Sequence, residues 1–136
     1  MRQRRPDRKL GAHHDEFWAW CERSELRIPQ CQGCGKLCWP VSQNCEQCGA
    51  TGFDWKRMSG RGRVIARATF HHDYYKGVLK TPYDTILVDL EEGLLFISDP
   101  HGFGYDDISP DMPVSLVFID CEDSAGSFRL PVFERS

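Results

Sequence analysis

The sequence has no long hydrophobic run and no recognisable secretion signal. No apolar stretch approaches the ~18 residues that a membrane-spanning helix requires. The first 17 residues are basic, but no apolar segment follows them, so a secretory signal peptide is not predicted. These absences predict a cytoplasmic protein without a membrane partner. The seven cysteines must then be explained without assuming disulfides, which are rare in that compartment.

The sequence also lacks a strong excess of either charge. Its 136 residues include 17 Lys and Arg against 20 Asp and Glu, a net charge of −3, which is typical of one ordinary domain or two very small ones. The basic side chains are concentrated in the first half and the acidic ones in the second. Nucleic-acid binding needs clustered Lys and Arg, and the acidic half would repel a polyanion. Nucleic acid is therefore not the expected partner.

Four of the cysteines form two C-x-x-C pairs, Cys31 with Cys34 and Cys45 with Cys48. Two such pairs supply the four thiolates of a closed tetrahedral site, and they predict a structural zinc ion. A glycine follows each pair, as the tight turn of such a site commonly requires. A rubredoxin-type iron centre uses the same ligands and stays open as an alternative. Disulfides or a thioredoxin-like redox motif fit the doubled spacing less well.

The remaining cysteines are interpreted as packing residues. Cys38 lies between the two pairs, at a position that does not repeat their spacing, and we interpret it as a small apolar filler rather than a ligand. Cys21 and Cys121 stand in a helical and a strand-like context, where buried free cysteine is common.

The chain divides into three predicted segments. Residues 1–27 are expected to form a flexible basic arm (1–12) and a helix that Asp15 caps, with Phe17 and Trp18 on its apolar side. The two aromatic residues either pack on this chain or dock on a partner subunit. Residues 28–58 form the zinc ribbon, which is too small to fold without its metal. Residues 59–136 form the third segment.

Five short strand patterns occupy that third segment. Two of them flank Gly93, which suits the left-handed position of a hairpin loop, and a brief helical turn is expected near residues 106–108. The pattern predicts a mainly β protein whose last segment is a five-stranded OB-fold barrel, with an SH3-like barrel as the alternative. The strands are predicted at residues 63–71, 85–90, 94–98, 114–120 and 127–133.

One polar cluster resembles a catalytic site in composition. His71, His72, Asp73, Tyr74 and Tyr75 follow the first strand, and His and Tyr act as general acids or bases when they are positioned for it. Polar residues are expected at a strand end in any case, so the cluster is interpreted as a loop or partner contact. No catalytic residue is predicted, because a metal held by four thiolates has no open position for water.

Three arginines of the first strand, Arg61, Arg63 and Arg67, share the same parity. They are predicted to line one face of the strand. Such a row is suited to phosphate recognition, in CoA or in a nucleic acid. The alternative is that the row pairs with the acidic half of the chain.

The order of these motifs resembles a known family. An aromatic helix with Phe17 and Trp18 precedes the two C-x-x-C pairs, and four further segments follow, SGRGRV (59–64), TPYDTILVDLEEG (81–93), DMPVSLVF (111–118) and LPVFE (130–134). This succession is similar to the family catalogued as domain of unknown function 35. The resemblance covers residues 15–134 and implies a rubredoxin-like zinc ribbon followed by an OB-fold.

The resemblance also implies a function in acyl-CoA metabolism. Members accompany thiolase-superfamily enzymes, such as lipid-transfer-protein-like aldolases and thiolases, or hydratases of steroid side-chain degradation. On this basis we expect a non-catalytic accessory subunit, zinc as its only cofactor, and a hetero-tetramer of two plus two with acyl-CoA near the interface. The candidate contacts with the partner or with acyl-CoA are Phe17, Trp18, Arg61, Arg63, His71, His72 and Tyr74.

Two other functions remain as alternatives. Zinc ribbons and OB-folds also occur in nucleic-acid-binding modules, where aromatic side chains stack on bases. An independent hydrolase or redox protein has less support from the residues. The stacking candidates of the first alternative are Phe70, Tyr74, Tyr75 and Phe96.

Overall fold

A computed structural model describes residues 2–136 and confirms a mainly β fold. The described chain contains one α-helix, one 3-10 turn (Tyr105–Asp107) and eight strands. The helix is α1 (Ala12–Glu22). The strands are β1 (Gln3–Arg4), β2 (Arg27–Cys31), β3 (Phe53–Arg57), β4 (Arg61–Phe70), β5 (Tyr83–Leu90), β6 (Leu95–Ser98), β7 (Met112–Asp123) and β8 (Gly126–Arg135).

Strands β4 to β8 form the predicted OB-fold. Strand β5 lies antiparallel between β4 and β6, the start of β7 pairs with β4, and β8 pairs with β7 along its length. The sheet returns on itself where Pro100 bridges Phe133 in parallel. This strand order confirms the OB-fold rather than the SH3-like alternative. The barrel interior is filled by alternate residues of β5, namely Ile86, Val88 and Leu90, which are at most 2% exposed.

The predicted hairpin between β5 and β6 is confirmed. Gly93 has a φ of 88°, which only glycine adopts without strain, and its N–H donates to the Leu90 carbonyl at 2.8 Å. The brief helical turn expected near residues 106–108 is the 3-10 turn, displaced by one residue.

A β-bulge in β4 overturns the predicted arginine row. Val64 pairs with Val88, but Ala66 pairs with Leu87, so Ile65 is an extra residue without a partner on β5. Residues that pair across strands share a face. Arg63 pairs with Asp89 on the outer face, whereas Arg67 lies opposite Ile86, whose side chain points into the barrel. Arg67 therefore lies on the other face from Arg61 and Arg63.

The N-terminal segment differs from the predicted flexible arm. Strand β1 pairs in parallel with the second half of β7, and Arg5 continues this pairing by donating its N–H to the Glu122 carbonyl at 2.9 Å. Arg8 is fixed by Asp123, whose side chain has no exposed area. The prediction of flexibility was wrong because the basic residues find acidic partners on the barrel.

Helix α1 begins three residues earlier than Asp15, with Gly11 at its N-cap. Asp15 accepts a hydrogen bond from the Gly11 N–H at 2.8 Å, so it stabilises the first turn from within the helix. Phe17 and Cys21, one turn apart, point into the core, and Trp18 packs at its edge. Among the described residues, no helix is long and apolar enough to span a membrane.

Strands β2 and β3 form a two-stranded sheet in which Cys31 ends β2, and the other three cysteines of the two pairs lie in the segment between the strands. This sheet packs on the barrel and shares its core, because Leu26 and Ile28 are buried in the same cluster as Val88 and Phe133. Trp39 and Trp55 pack against that cluster from the ribbon side. The division into 1–27, 28–58 and 59–136 stays a prediction.

Candidate metal centre and aromatic cavity

The four predicted ligand cysteines lie together. Their sulfur atoms are all within 4.8 Å of one another, with 3.5 Å between Cys31 and Cys48 and 3.6 Å between Cys34 and Cys45. A tetrahedral ion with ~2.3 Å bonds to sulfur requires sulfur–sulfur separations of about 3.8 Å. The residues present therefore fit one four-coordinate metal ion.

Each cysteine pair is held by the same local turn. The N–H groups of Gly35 and Gly49 donate to the carbonyls of Cys31 and Cys45 at 2.9 and 2.8 Å. Both glycines have positive φ values, 77° and 79°, which the turn requires. The turn at the first C-x-x-C pair is thus repeated at the second pair, as the sequence predicts.

Backbone N–H groups of these turns also point at the sulfur atoms. The Gly33 N–H lies 3.3 Å from Cys31 Sγ. Hydrogen bonds from the backbone of Cys48 and Gln47 lower the pKa of Cys45 to about 6. The turns therefore favour the thiolate form at Cys31 and Cys45.

Cys38 is buried beside the centre. It packs with Cys31 and Cys45, the two buried members of the ligand set, while Cys34 and Cys48 face solvent. Cys21 and Cys121 are fully buried elsewhere, and burial raises their pKa values to about 12 and about 11. Both are inert thiols of the core.

A second site is a cavity of about 730 Å³ between helix α1, the ribbon and the barrel. It is bounded by the N-terminal segment and by the loop between β4 and β5. Nine of the residues in its wall are aromatic. The aromatic side chains are Phe17, Trp18, Trp39, Phe70, Tyr74, Tyr75, Tyr83, Phe96 and Phe128.

The aromatic rings are ordered by contacts with one another. Trp39 packs on Phe17 and Phe96 with centroid distances of 4.8 and 5.3 Å, which joins the ribbon to the helix and barrel. On the other side Phe70 stacks on Tyr83 at 5.2 Å, and Tyr74 meets Phe70 edge-on. Tyr74 and Tyr75 are 62% and 43% exposed, so they form the mouth of the cavity.

The rim of the cavity carries four basic residues, Arg5, Arg8, Lys9 and His14. Arg5 pairs with Asp99 at 2.7 Å. Arg8 lies 4.2 Å above the Phe128 ring while it binds Asp123. The cavity therefore combines an apolar interior with a polar edge on which both arginines are already paired with carboxylates.

The predicted contact residues divide between the cavity and other surfaces. Phe17, Trp18 and Tyr74 line the cavity, and His72 packs on the Tyr74 ring at 4.6 Å. Arg61, Arg63 and His71 do not line it. For the nucleic-acid alternative, Phe70, Tyr74 and Tyr75 are exposed, but Phe96 is only 4% exposed and cannot stack on a base.

The arginines of β4 are paired with carboxylates. Arg61 makes two hydrogen bonds with Glu91, at 2.8 and 2.9 Å, and these lower the pKa of Glu91. Arg63 binds both Asp89 and Asp111. The alternative in which this face pairs with the acidic half agrees with these contacts.

We expect Arg63→Ala to change the thermal midpoint by no more than about 3 °C, because exposed ion pairs contribute little to stability. Its retention on an immobilised polyphosphate should be unchanged, because the Arg63 guanidinium is already paired with carboxylates. Circular dichroism and affinity chromatography in low salt measure the two effects. A clear loss of retention would instead make Arg63 a phosphate contact.

Three residues that matter at the cavity were not singled out from the sequence, namely Arg8, Trp39 and Phe128. Trp39 lies between the cysteine pairs, beside Pro40. Its large aromatic side chain was the feature that could have marked it as a packing residue. The Arg8 contact with Asp123 joins positions 115 residues apart, and no local pattern reveals it.

Comparison with known proteins agrees with this geometry. Residues 55–118 match the family described as the C-terminal OB-fold domain of ChsH2. A probable enoyl-CoA hydratase alpha subunit of Thermomonospora curvata is 30% identical over 117 residues, 84% of this chain. The chain spans only 35% of that relative's length.

Two solved structures are also similar. A chain of the Ltp2–ChsH2(DUF35) aldolase superposes with a TM-score of 0.80 and 26% identity, over 95% of this chain and 98% of that one. A DUF35-family protein of unknown function from Sulfolobus solfataricus has a TM-score of 0.58 and 14% identity over 79% of both chains, which shows the fold alone. These matches confirm the resemblance predicted from the sequence motifs.

Proposed function

We propose that this chain, which shares its fold and part of its sequence with the DUF35 family, is an accessory part of an acyl-CoA-processing enzyme complex. The observation that carries the proposal is the superposition on the DUF35 chain of an aldolase over 95% of this chain. The 30% identity to a probable enoyl-CoA hydratase subunit supports the same class of substrate. The partner is a thiolase-superfamily protein, of the lipid-transfer-protein-like aldolase or thiolase type, in a complex of two plus two.

The aromatic cavity supports a place for this chain beside the acyl group. An apolar interior of about 730 Å³ has the size of a typical small-molecule site. Phe17, Trp18 and Tyr74 are the proposed contacts within it. The volume supports a bulky acyl group, such as that of a lipid or a steroid side chain.

The catalytic residues belong to the partner in this proposal. The four thiolates would saturate a tetrahedral ion, which would then supply a structural cross-link and no activated water. Asp73 accepts hydrogen bonds from the N–H groups of Tyr75 and Gly77, at 3.3 and 2.9 Å, so its carboxylate shapes the loop. This contact supports a structural role for the loop that carries His71 and His72.

The test is co-expression with a thiolase-superfamily protein encoded in the same genome. We expect the two chains to co-purify, light scattering to give two copies of each, and acyl-CoA turnover to require both. Tyr74→Ser should weaken turnover of a long-chain thioester more than that of acetyl-CoA, because it removes an exposed wall of the cavity. Turnover by the isolated chain, or a partner equally active without it, would contradict the proposal.

A further inference from the structure

The free edge of strand β6 carries main-chain groups without a partner. The Leu90 N–H donates to the Leu94 carbonyl at 2.9 Å, so these two residues form a hydrogen-bonded pair of the β5–β6 hairpin. Hydrogen-bonded and non-hydrogen-bonded pairs alternate along an antiparallel ladder, so Ile97, opposite Leu87, belongs to a non-hydrogen-bonded pair. Its N–H and C=O therefore point away from β5. Among residues 2–136, neither group has a hydrogen-bond partner.

Pro131 explains why the barrel does not close at this point. Strand β8 pairs with the chain after β6 through Phe133, whose N–H donates to the Asp99 carbonyl at 3.2 Å and whose carbonyl accepts the His101 N–H at 2.7 Å. If this parallel pattern continued, the Ile97 carbonyl would lie opposite the N–H of residue 131, and proline has no N–H. A seam between β6 and β8 therefore stays open beside Ile97.

The aromatic cavity lies along this seam. Its wall includes Ile97 and Ser98 from β6 and Phe128 and Pro131 from β8. The Ser98 hydroxyl donates to the Pro131 carbonyl at 2.9 Å, so it bridges the seam and is not free for a ligand. One donor and one acceptor of the Ile97 main chain are thus left at a mainly apolar wall, where an unpaired polar group costs free energy.

We propose that the Ile97 N–H and C=O bind a hydroxyl group of the ligand, so that the cavity selects an acyl group hydroxylated far from its thioester. The two main-chain groups of one extended residue point to the same side, and a hydroxyl accepts one hydrogen bond and donates another. A ketone can satisfy only the N–H, and a methylene satisfies neither. The inference rests on the proposed function, which supplies the acyl class of the ligand and places the thioester at the partner's catalytic residues.

Isothermal titration calorimetry on the 136-residue chain tests the preference. The probes are dodecanoyl-CoA and a series that carries one hydroxyl at successive carbons in the distal half of the acyl chain. We expect at least one hydroxylated probe to bind about tenfold more tightly than dodecanoyl-CoA, and its ketone analogue to lie between the two. Equal affinities across the series, or no binding of any probe, would overturn the inference.

Ile97→Pro removes the donor without removing a ladder hydrogen bond. Proline is tolerated at an edge position whose N–H points away from the sheet, so the fold should persist and the hydroxyl preference should fall to about threefold or less. Leu95→Pro is the matched control, because Leu95 stands in the other non-hydrogen-bonded pair of β6, opposite Asp89, but does not line the cavity. It should keep the full preference. Loss of the preference in both variants, or in neither, would overturn the inference.

Pro131→Ala covers the case in which Ile97→Pro does not fold. This variant restores an N–H that can donate to the Ile97 carbonyl and close the seam, so the hydroxyl preference should fall at least about threefold. Pro110→Ala, the same change in an exposed loop, should leave the preference as in the wild type. An unchanged preference in Pro131→Ala would overturn the inference.

These binding measurements need no partner, so they separate this inference from the proposed function. A chain that prefers the hydroxylated probe but co-purifies with no thiolase-superfamily protein would keep the site and contradict the accessory role. A chain that forms an active complex but binds all the probes equally would keep the accessory role and overturn the hydroxyl site.

Discussion

Removal of the metal is expected to unfold the ribbon and to loosen the barrel beside it. The two-stranded sheet of β2 and β3 buries too little apolar surface to persist alone, and structural zinc supplies on the order of 10 kcal/mol to such modules. The effect reaches the barrel because Ile28 and Trp39 from the ribbon pack in the common core. Loss of the ion is therefore expected to destabilise the common core as well as the turns that hold the cysteines.

Chelation and a ligand variant measure this effect. We expect 1,10-phenanthroline, or Cys31→Ser, to lower the thermal midpoint by more than about 15 °C and to shift the tryptophan emission to the red as Trp39 and Trp55 enter water. Tryptic cleavage at Lys36 and Arg57 should accelerate. Acid should act in the same direction, because protonation of the thiolates competes with the ion.

Cys21→Ala is the control for the loss of a thiol, since it removes a buried sulfur remote from the centre. It should leave the metal content at one ion per chain. Elemental analysis showing no ion in the native protein, or an unchanged midpoint after chelation, would contradict the prediction.

The clustering of the four cysteines was predictable because its signal is local. Each C-x-x-C pair carries its ligands and its glycine within five residues, and the fold has only to bring two such turns together. The barrel strands were predictable for a similar reason. The alternation of Ile86, Val88 and Leu90 with less buried residues is visible in a single strand.

Features that depend on one extra residue or on distant partners were not predictable. The bulge at Ile65 changes the face of every later side chain on β4, and nothing in the composition of the strand marks it. The aromatic cavity draws its walls from the N-terminal segment, the helix, the ribbon, four strands of the barrel and the loop between β4 and β5. Only the tertiary fold gives these separate aromatic residues a common surface.

A buried ion pair between Arg8 and Asp123 is one of the contacts that hold the N-terminal segment on the barrel. Asp123 accepts hydrogen bonds from the Arg8 side chain at 2.7 and 3.2 Å, from the Arg8 N–H at 3.1 Å and from the Ala125 N–H at 3.0 Å. The first of these partners, the Arg8 guanidinium, contributes most to lowering the pKa of Asp123 to about 2. The Asp123 carboxylate thus has an ion-pair partner and a hydrogen-bond donor at each of its oxygens, as a buried carboxylate requires.

We expect Asp123→Asn to lower the free energy of unfolding at pH 7 by roughly 2–3 kcal/mol, because the amide cannot accept all of these hydrogen bonds and leaves Arg8 unpaired. The N-terminal segment should detach from β7, so trypsin should cleave after Arg8 sooner than in the wild type. Urea denaturation and timed proteolysis measure the two effects.

The pH dependence of the wild type gives an independent check. Because the pKa of Asp123 is depressed in the folded state, from 3.8 to about 2, its contribution is present above about pH 4 and is lost as the pH falls toward 2. The stability difference between wild type and Asp123→Asn should therefore shrink over that window. A difference that stays constant down to pH 2 would contradict the assigned ion pair.

Asp120→Asn is the matched control, because it makes the same charge change on the same strand. Its carboxylate is 67% exposed and lies 3.7 Å from Arg129, so its loss should cost little. Equal destabilisation by the two variants would show that net charge, rather than the Arg8 contact, determines the effect. If Asp123→Asn alone loses stability, the wall of the aromatic cavity should also become less ordered, since Arg8 packs on Phe128 in that wall.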